Sequence, residues 1–283
     1  MNINDKDGRS PLFCTVKNNN IAMTQLLVDY ANKRNIILNI NDKDKDGEFP
    51  LLLAIKQNNI EMIQLFIDYA NKNNILLKIN VKNNDGEFPL LLAINQNSIE
   101  MVQLLINYAE NNNIIQLLIN QKNSNGNTPL MIACKSNNEN IVKYLIEKGA
   151  DVNKENEEGD TPLLIISKNK NINEKIVKYL IEKGANIDKE DKNCDTPLMI
   201  SCKVNNENVV KYLIRSGADI NKTNNDNVTP LKIAMNNNNK EIIKYIIDKV
   251  EINKGYYLFI YFFFTIICNI NMYIIYIYII YIF

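Results

Sequence analysis

Apolar and polar positions recur along this chain in seven similar blocks. In one of them a polar segment precedes Pro129, and the apolar run Leu-Met-Ile-Ala-Cys follows it. An Asn-rich break comes next, after which apolar residues such as Ile141, Val142 and Leu145 return at the spacing of one helix face. This pattern predicts a turn, a short buried helix, a loop and an amphipathic second helix in each block.

Each block carries one proline, and all seven prolines of the chain lie in the same local context. In five blocks Gly follows Asp, Asn or Glu three residues before the proline, which predicts a tight turn with positive φ. Ser or Thr directly before the proline, also in five blocks, predicts a helix N-cap. The prolines are Pro11, Pro50, Pro89, Pro129, Pro162, Pro197 and Pro230, at spacings of 39, 39, 40, 33, 35 and 33 residues.

With these features the blocks resemble ankyrin repeats. The family's pattern is matched in the fourth block by Thr128, Pro129, Leu130, Ala133, Ile141, Val142, Leu145, Gly149, Ala150, Asp151 and Asn153. The resemblance covers roughly residues 1–253, with units that start near residues 5, 44, 83, 123, 156, 191 and 224. It implies an all-α repeat solenoid of about seven helix-turn-helix units with β-turn or hairpin tips.

The first three blocks depart from this pattern because they are longer after the second helix. In the fourth block, positions 149 and 152 are three residues apart. The matching positions of the first three blocks, 31 and 40, 70 and 79, and 109 and 119, are nine, nine and ten residues apart. Ala replaces the helix-terminating Gly there, so we predict extended second helices or loops. The extra residues of the fifth block, 168–173, are predicted to lie between its two helices.

Four substitutions change individual turns and caps. Phe49 and Phe88 replace the capping hydroxyl, which weakens those helix starts by about 1 kcal/mol each unless the rings pack across the repeat interface. Cys194 and Asn227 stand where the other blocks have the turn Gly.

Composition argues against catalysis and against nucleic acid as a partner. The chain has no His, which removes the commonest general base and the commonest zinc ligand, and no phosphate-binding or nucleophile motif occurs. Lys plus Arg and Asp plus Glu both number 32, so no global positive field exists to attract DNA or RNA. We therefore predict a non-catalytic module with no catalytic residues, no cofactor and no small-molecule substrate.

Two further signals for chemistry are weak. Asp42, Asp44, Asp46 and Gly47 imitate the start of an EF-hand calcium loop, but Leu53 occupies the position of its bidentate Glu, so no metal site is predicted. The five cysteines form no C-x-x-C pair, and Cys134 and Cys202 are interpreted as small core residues in a reducing compartment. Residues 1–10 are polar and lack the apolar core of a secretory signal, which favours a cytoplasmic location for the repeats.

The candidate binding residues lie at the turn tips, four and two residues before each proline. They are Asp7 and Arg9, Asp46 and Glu48, Asp85 and Glu87, Asn125 and Asn127, Glu158 and Asp160, Asn193 and Asp195, and Asp226 and Val228. A second row, six residues after each proline, consists of Lys17, Lys56, Asn95, Lys135, Lys168, Lys203 and Asn236.

We interpret these two rows as an acidic ridge beside a basic stripe. The ridge would steer a protein partner with basic residues, and the ankyrin resemblance implies that the partner lies on a concave face. A simpler alternative is that Asp favours turns and that Lys complements the dipole at a helix end. The function predicted first is a protein-binding scaffold or adaptor.

The last 28 residues, 256–283, carry no charge and are long enough to span a bilayer as a helix. Lys249 and Lys254 precede them, which would keep the repeats cytoplasmic and the C-terminal segment in the membrane. Asn269, Asn271 and the Tyr-Ile repetition instead favour spurious translation of A/T-rich DNA or an aggregation-prone strand. A genuine membrane segment would make the protein a membrane-tethered adaptor or receptor, which is one alternative to the scaffold function. Another is that the chain is the recognition part of a larger enzyme or channel.

Overall fold

A computed structural model describes residues 2–249 of the chain. Over that range the secondary structure consists of helices and turns, without strands, so the prediction of an all-α repeat solenoid is confirmed. The helices are α1 (Pro11–Lys17), α2 (Ile21–Arg34), α3 (Pro50–Lys56), α4 (Ile60–Lys72), α5 (Pro89–Asn95), α6 (Ile99–Asn111), α7 (Ile115–Leu118), α8 (Pro129–Lys135), α9 (Glu139–Glu147), α10 (Pro162–Ser167), α11 (Glu174–Glu182), α12 (Pro197–Lys203), α13 (Glu207–Arg215), α14 (Pro230–Asn236) and α15 (Lys240–Lys249).

The helices form two layers. The first helix of each repeat packs on the first helix of the next, in the order α1, α3, α5, α8, α10, α12 and α14. The second helices stack in the same way, in the order α2, α4, α6, α9, α11, α13 and α15. One continuous apolar core runs between the layers from Leu12 to Ile246. Because each repeat buries its apolar face mainly against its neighbours, the stack supplies the core that a single repeat lacks.

Local residues begin and end these helices. Thr128 lies at the N-cap of α8 and its hydroxyl accepts a hydrogen bond from Met131 N, with Pro129 at the first helical position. In the Asn-rich break that follows, Asn137 adopts positive φ and Asn138 caps α9 by accepting from Ile141 N. The Asn pairs therefore make the connection between the helices, because Asn tolerates the left-handed conformation and also caps well.

The long second helices predicted for the first three repeats are present. Helices α2, α4 and α6 have 14, 13 and 13 residues, against nine in α9, α11 and α13. Asn35, Asn74 and Asn113 end the long segments with positive φ, the role that Gly149 has after α9. The short helix α7 in the third insert was not predicted.

The substituted turns and caps keep the geometry of the others. Cys194 and Asn227 have φ of 59° and 55°, so they adopt the conformation that Gly provides elsewhere. Phe49 and Phe88 make no capping hydrogen bond, but both rings are fully buried in the core between repeats. The apolar burial of each ring therefore offsets the lost cap.

Cys134 and Cys202 are buried in the core, as the sequence interpretation required. Burial raises the pKa of both thiols, that of Cys202 to about 12, so neither forms the reactive thiolate readily.

Between residues 2 and 249, none of the helices combines the length and the apolar character needed to cross a bilayer. The candidate membrane segment 256–283 lies outside the described residues.

Candidate protein-interaction surface

A turn-capping Asp or Asn lies six residues before every proline. Its Oδ1 accepts hydrogen bonds from the backbone N–H groups two and four residues later, at 2.9–3.1 Å in all seven repeats. These residues are Asp5, Asp44, Asn83, Asn123, Asn156, Asp191 and Asn224. This role was not predicted from the sequence, although Asp or Asn stands at one fixed offset in all seven blocks. The bonds fix the shape of each tip.

Turn capping also explains Asp44, the central Asp of the segment that resembles the start of an EF-hand calcium loop. Asp44 Oδ1 accepts from Asp46 N and Glu48 N, both at 3.0 Å, and its Oδ2 lies 3.5 Å from Arg9 Nε. One oxygen of this buried carboxylate therefore caps the turn of its own repeat, and the other contacts the preceding repeat.

The predicted residues two before the proline form a polar ladder that joins successive repeats. Four of the seven contact the turn-capping residue of the next repeat, so these contacts are made across the repeat interface. The pairs are Arg9 with Asp44 at 3.5 Å, Glu48 with Asn83 at 2.8 Å, Asn127 with Asn156 at 2.8 Å and Asp195 with Asn224 at 2.9 Å. These residues are buried or half-buried. These side chains therefore connect neighbouring repeats and stabilise the stack.

Three of the predicted lysines are paired with this ladder. Lys56 Nζ lies 2.8 Å from Glu48 Oε1, Lys168 Nζ 2.5 Å from Asp160 Oδ1, and Lys203 Nζ 2.5 Å from Asp195 Oδ2. Each pair joins the residue two before a proline to the residue six after it. The acidic and basic rows of the sequence hypothesis thus neutralise each other at these positions.

Lys17 and Lys135 differ from those three lysines. Their repeats have Arg9 and Asn127 at the ladder position, so no carboxylate is available there. Both side chains are exposed and have no ion-pair partner within residues 2–249. The basic stripe is therefore reduced to two isolated positive charges.

The residues four before the proline are placed differently, at the exposed apex of each tip. Asp46, Asp85, Asn125, Glu158, Asn193 and Asp226 are all exposed, and Asp7 is half-buried. Asp7 lies 3.2 Å from Lys45, and Glu158 lies 3.5 Å from Lys192 on the surface. No other ion pair involving this row was found among residues 2–249 except that of Asp7 with Arg9. Asp46, Asp85 and Asp226 therefore present unpaired carboxylates.

Backbone hydrogen bonds also connect neighbouring tips. Asn84 N donates to Asp46 O at 3.4 Å, and Asn225 N donates to Asn193 O at 3.1 Å. Together with the capped turns, these bonds hold the apical side chains in one row.

A local acidic cluster forms where the second and third tips meet. One carboxylate oxygen from each of Glu48, Asp85 and Glu87 lies within 4.8 Å of the other two. Lys56 Nζ pairs with two members of this cluster, because it lies 2.8 Å from Glu48 and 3.0 Å from Glu87, and Asp85 is left without a cation among residues 2–249. Burial lowers the pKa of Lys56, but its hydrogen bonds to the two carboxylates outweigh that effect and raise the pKa above the ordinary 10.5.

Lys56→Met is expected to lower the free energy of unfolding at neutral pH by about 1 kcal/mol, because it leaves two close carboxylates without their cation. Since the pKa of Lys56 is raised in the fold, its stabilisation is complete below pH 10.5 and is lost as the pH rises through the elevated value. Urea unfolding of both proteins should therefore show a difference that disappears at high pH. Lys135→Met, at the same repeat position without an acidic partner, is the control and should change stability by less than about 0.5 kcal/mol.

Comparison with known proteins agrees with this geometry. The profile of the family described as ankyrin repeats (3 copies) matches residues 1–75, 35–114, 74–156, 107–191 and 163–256. The crystal structure of the ankyrin repeat domain of Bcl-3, titled a unique member of the IkappaB protein family, superposes with a TM-score of 0.70 at 23% identity, over 85% of this chain and 99% of that one. No curated protein sequence matches. The family profile covers nearly all of the repeats, and the chain therefore belongs to the ankyrin-repeat family.

Proposed function

We propose that this ankyrin array binds a protein partner on the concave face formed by its tips and first helices, with basic residues of the partner contacting the apical carboxylates. Ankyrin repeats are protein–protein interaction modules, which supports the class of function. The observation that carries the finer proposal is the division of the acidic residues. Those of the ladder are paired inside the protein, whereas Asp46, Asp85 and Asp226 are exposed and unpaired.

The fixed geometry of the tips favours binding. Because each apical residue lies on a capped turn that is hydrogen-bonded to its neighbour, little conformational entropy is lost when a partner orders it. Below the tips, Leu53, Ile132 and Ile165 on the first helices are only partly buried and offer apolar contact. A partner with basic residues flanking an apolar segment would match this surface.

The proposal predicts that neutralising the apical carboxylates weakens binding. A partner would be recovered by crosslinking to the full chain and then prepared in isolation. We expect the variant D46N/D85N/E158Q/D226N to raise its Kd by about tenfold or more at low salt, since each exposed ion pair contributes about 0.2–1 kcal/mol. The loss should appear mainly in the association rate.

The matched control is E61Q/E100Q/E147Q/E182Q, which removes four exposed carboxylates from the second helices. It should leave the Kd within about twofold. A partner whose Kd changes equally with both variants, or with neither, would contradict binding through the tips.

A further inference from the structure

The inserts of the first three repeats form a second surface, which we call the insert edge and define as residues 32–41, 71–82 and 111–122. Each insert carries one large apolar side chain that points to solvent. Ile37, Leu76 and Leu117 are 52%, 53% and 61% exposed. An apolar residue therefore protrudes from three successive repeats along one edge of the stack.

These residues are displayed by an ordered backbone. Asn41 Nδ2 donates to Leu76 O at 2.9 Å, and its Oδ1 accepts from Lys78 N at 3.0 Å. Next to Leu76, the Leu77 side chain is buried, and Leu77 N donates to the Tyr108 hydroxyl at 2.9 Å.

The first insert is fastened in the same way. Asn2 Nδ2 donates to Ile37 O at 2.7 Å, and the Tyr69 hydroxyl accepts from Leu38 N at 2.9 Å. With their neighbours fixed in this way, Ile37 and Leu76 cannot turn inward without breaking these contacts.

The same edge is strongly basic in a chain whose net charge is zero. The three segments contain no Asp or Glu and six cations, which are Lys33, Arg34, Lys72, Lys78, Lys82 and Lys122. All six are exposed, and within residues 2–249 none of them has an ion-pair partner. The acidic residues that flank the segments have other partners. Asp42 accepts from Asn39 at 2.9 Å and Glu110 pairs with Lys148 at 2.7 Å. Asp29 and Asp68, one helical turn before Lys33 and Lys72, accept from Gln25 and Gln64.

We propose that the insert edge docks on an anionic lipid membrane surface. Lys and Arg near a membrane are attracted by acidic headgroups, and apolar side chains between them enter the interfacial region. Three separate protruding apolar residues fit a deformable bilayer surface, because no matching pockets are needed. A nucleic acid would use the cations but gain nothing from Ile37, Leu76 and Leu117. The residues involved are not those of the proposed protein-binding tips.

Tryptophan fluorescence tests the proposal directly, because the chain has no natural Trp. The full chain with Leu76→Trp would be titrated with vesicles of phosphatidylcholine and phosphatidylserine whose acyl chains are brominated. We expect the emission to shift to the blue and to be quenched by the bromines, and both changes should be lost with phosphatidylcholine alone. Asn95→Trp, exposed at the end of α5, should show neither change. Since residues 256–283 are identical in both proteins, attachment through that segment alone cannot produce the difference.

Charge variants in the L76W background complete the test. K72Q/K78Q/K82Q should weaken the vesicle affinity by at least about tenfold, because each cation contributes about fivefold. The control K17Q/K135Q/K244Q removes the same number of exposed lysines elsewhere and should leave it within about twofold.

Three results would overturn the proposal. One is vesicle-bound L76W protein whose introduced indole remains unquenched, and another is an equal loss of affinity in both lysine variants. The third is an equal change in the L76W emission on adding RNA or polyglutamate in the absence of lipid, which would indicate a general polyanion site.

Discussion

Asn83→Ala is expected to lower the free energy of unfolding by about 3 kcal/mol, although this residue lies in a turn at the tip of a repeat. Asn83 is 6% exposed, and its Oδ1 accepts from Asp85 N at 3.1 Å and from Glu87 N at 2.9 Å. Its Nδ2 donates to Glu48 at 2.8 Å and to Glu87 at 3.1 Å. Alanine removes four hydrogen bonds and leaves shielded donors and acceptors without partners, each at about 1 kcal/mol or more.

Urea denaturation would measure this loss, and hydrogen exchange at the Asp85 and Glu87 amides would show whether it begins at the tip. Asn125→Ala changes the same residue type at an exposed apical position and should be within about 0.5 kcal/mol of the wild type. Asn83→Asp keeps the Oδ1 acceptor but places a third carboxylate beside Glu48 and Glu87, where Asp44 has Arg9 instead, so a loss at least as large as that of Asn83→Ala is expected. Equal stability of the Asn83→Ala and Asn125→Ala proteins would refute the structural role of the ladder.

Gly47→Ala should destabilise the protein by about 3 kcal/mol through two separate costs. Gly47 has φ of +75°, and the left-handed conformation costs an L-residue about 1–2 kcal/mol. A Cβ atom at this position would also lie 2.6 Å from Asn84 Oδ1 and 2.9 Å from Asn84 N, so the next tip would have to shift. That shift would stretch the hydrogen bond from Asn84 N to Asp46 O.

Gly149→Ala separates the two costs. Gly149 has φ of +94°, but a Cβ atom there would meet nothing within 4 Å. The Gly149→Ala variant should therefore lose only the free energy that the left-handed conformation costs an alanine, about 1 kcal/mol. If urea denaturation shows equal losses for the two variants, the close approach of neighbouring tips is not important for stability.

The repeat itself could be predicted from local sequence. A turn Gly, a capping Ser or Thr, Pro at the first helical position and an apolar stripe all lie within one block, and each acts over a few residues. The longer second helices of the first three repeats followed from the same reasoning, since Ala31, Ala70 and Ala109 replace the terminating Gly. The short helix α7 was missed because four residues carry no reliable periodic signal.

Local sequence could not predict which charged side chains are paired within the protein and which remain free to contact a partner. Sequence placed Glu48 and Lys56 in two parallel rows of opposite charge, but the fold brings them 2.8 Å apart and adds Asn83 from the next repeat. Asp46, only two residues from Glu48, remains exposed. Whether a carboxylate at a tip is paired depends on which side of the turn faces the neighbouring repeat.

The sequence alone determined the seven-fold register, the turn-helix-loop-helix unit and the membership of the ankyrin-repeat family, because those properties depend on residues close together in the chain. Only the tertiary structure decided which polar residues join the repeats, which remain exposed at the tips, and that Ile37, Leu76 and Leu117 protrude beside unpaired cations. These contacts link residues roughly one repeat apart, and they form only when stacking brings successive turns within hydrogen-bonding distance.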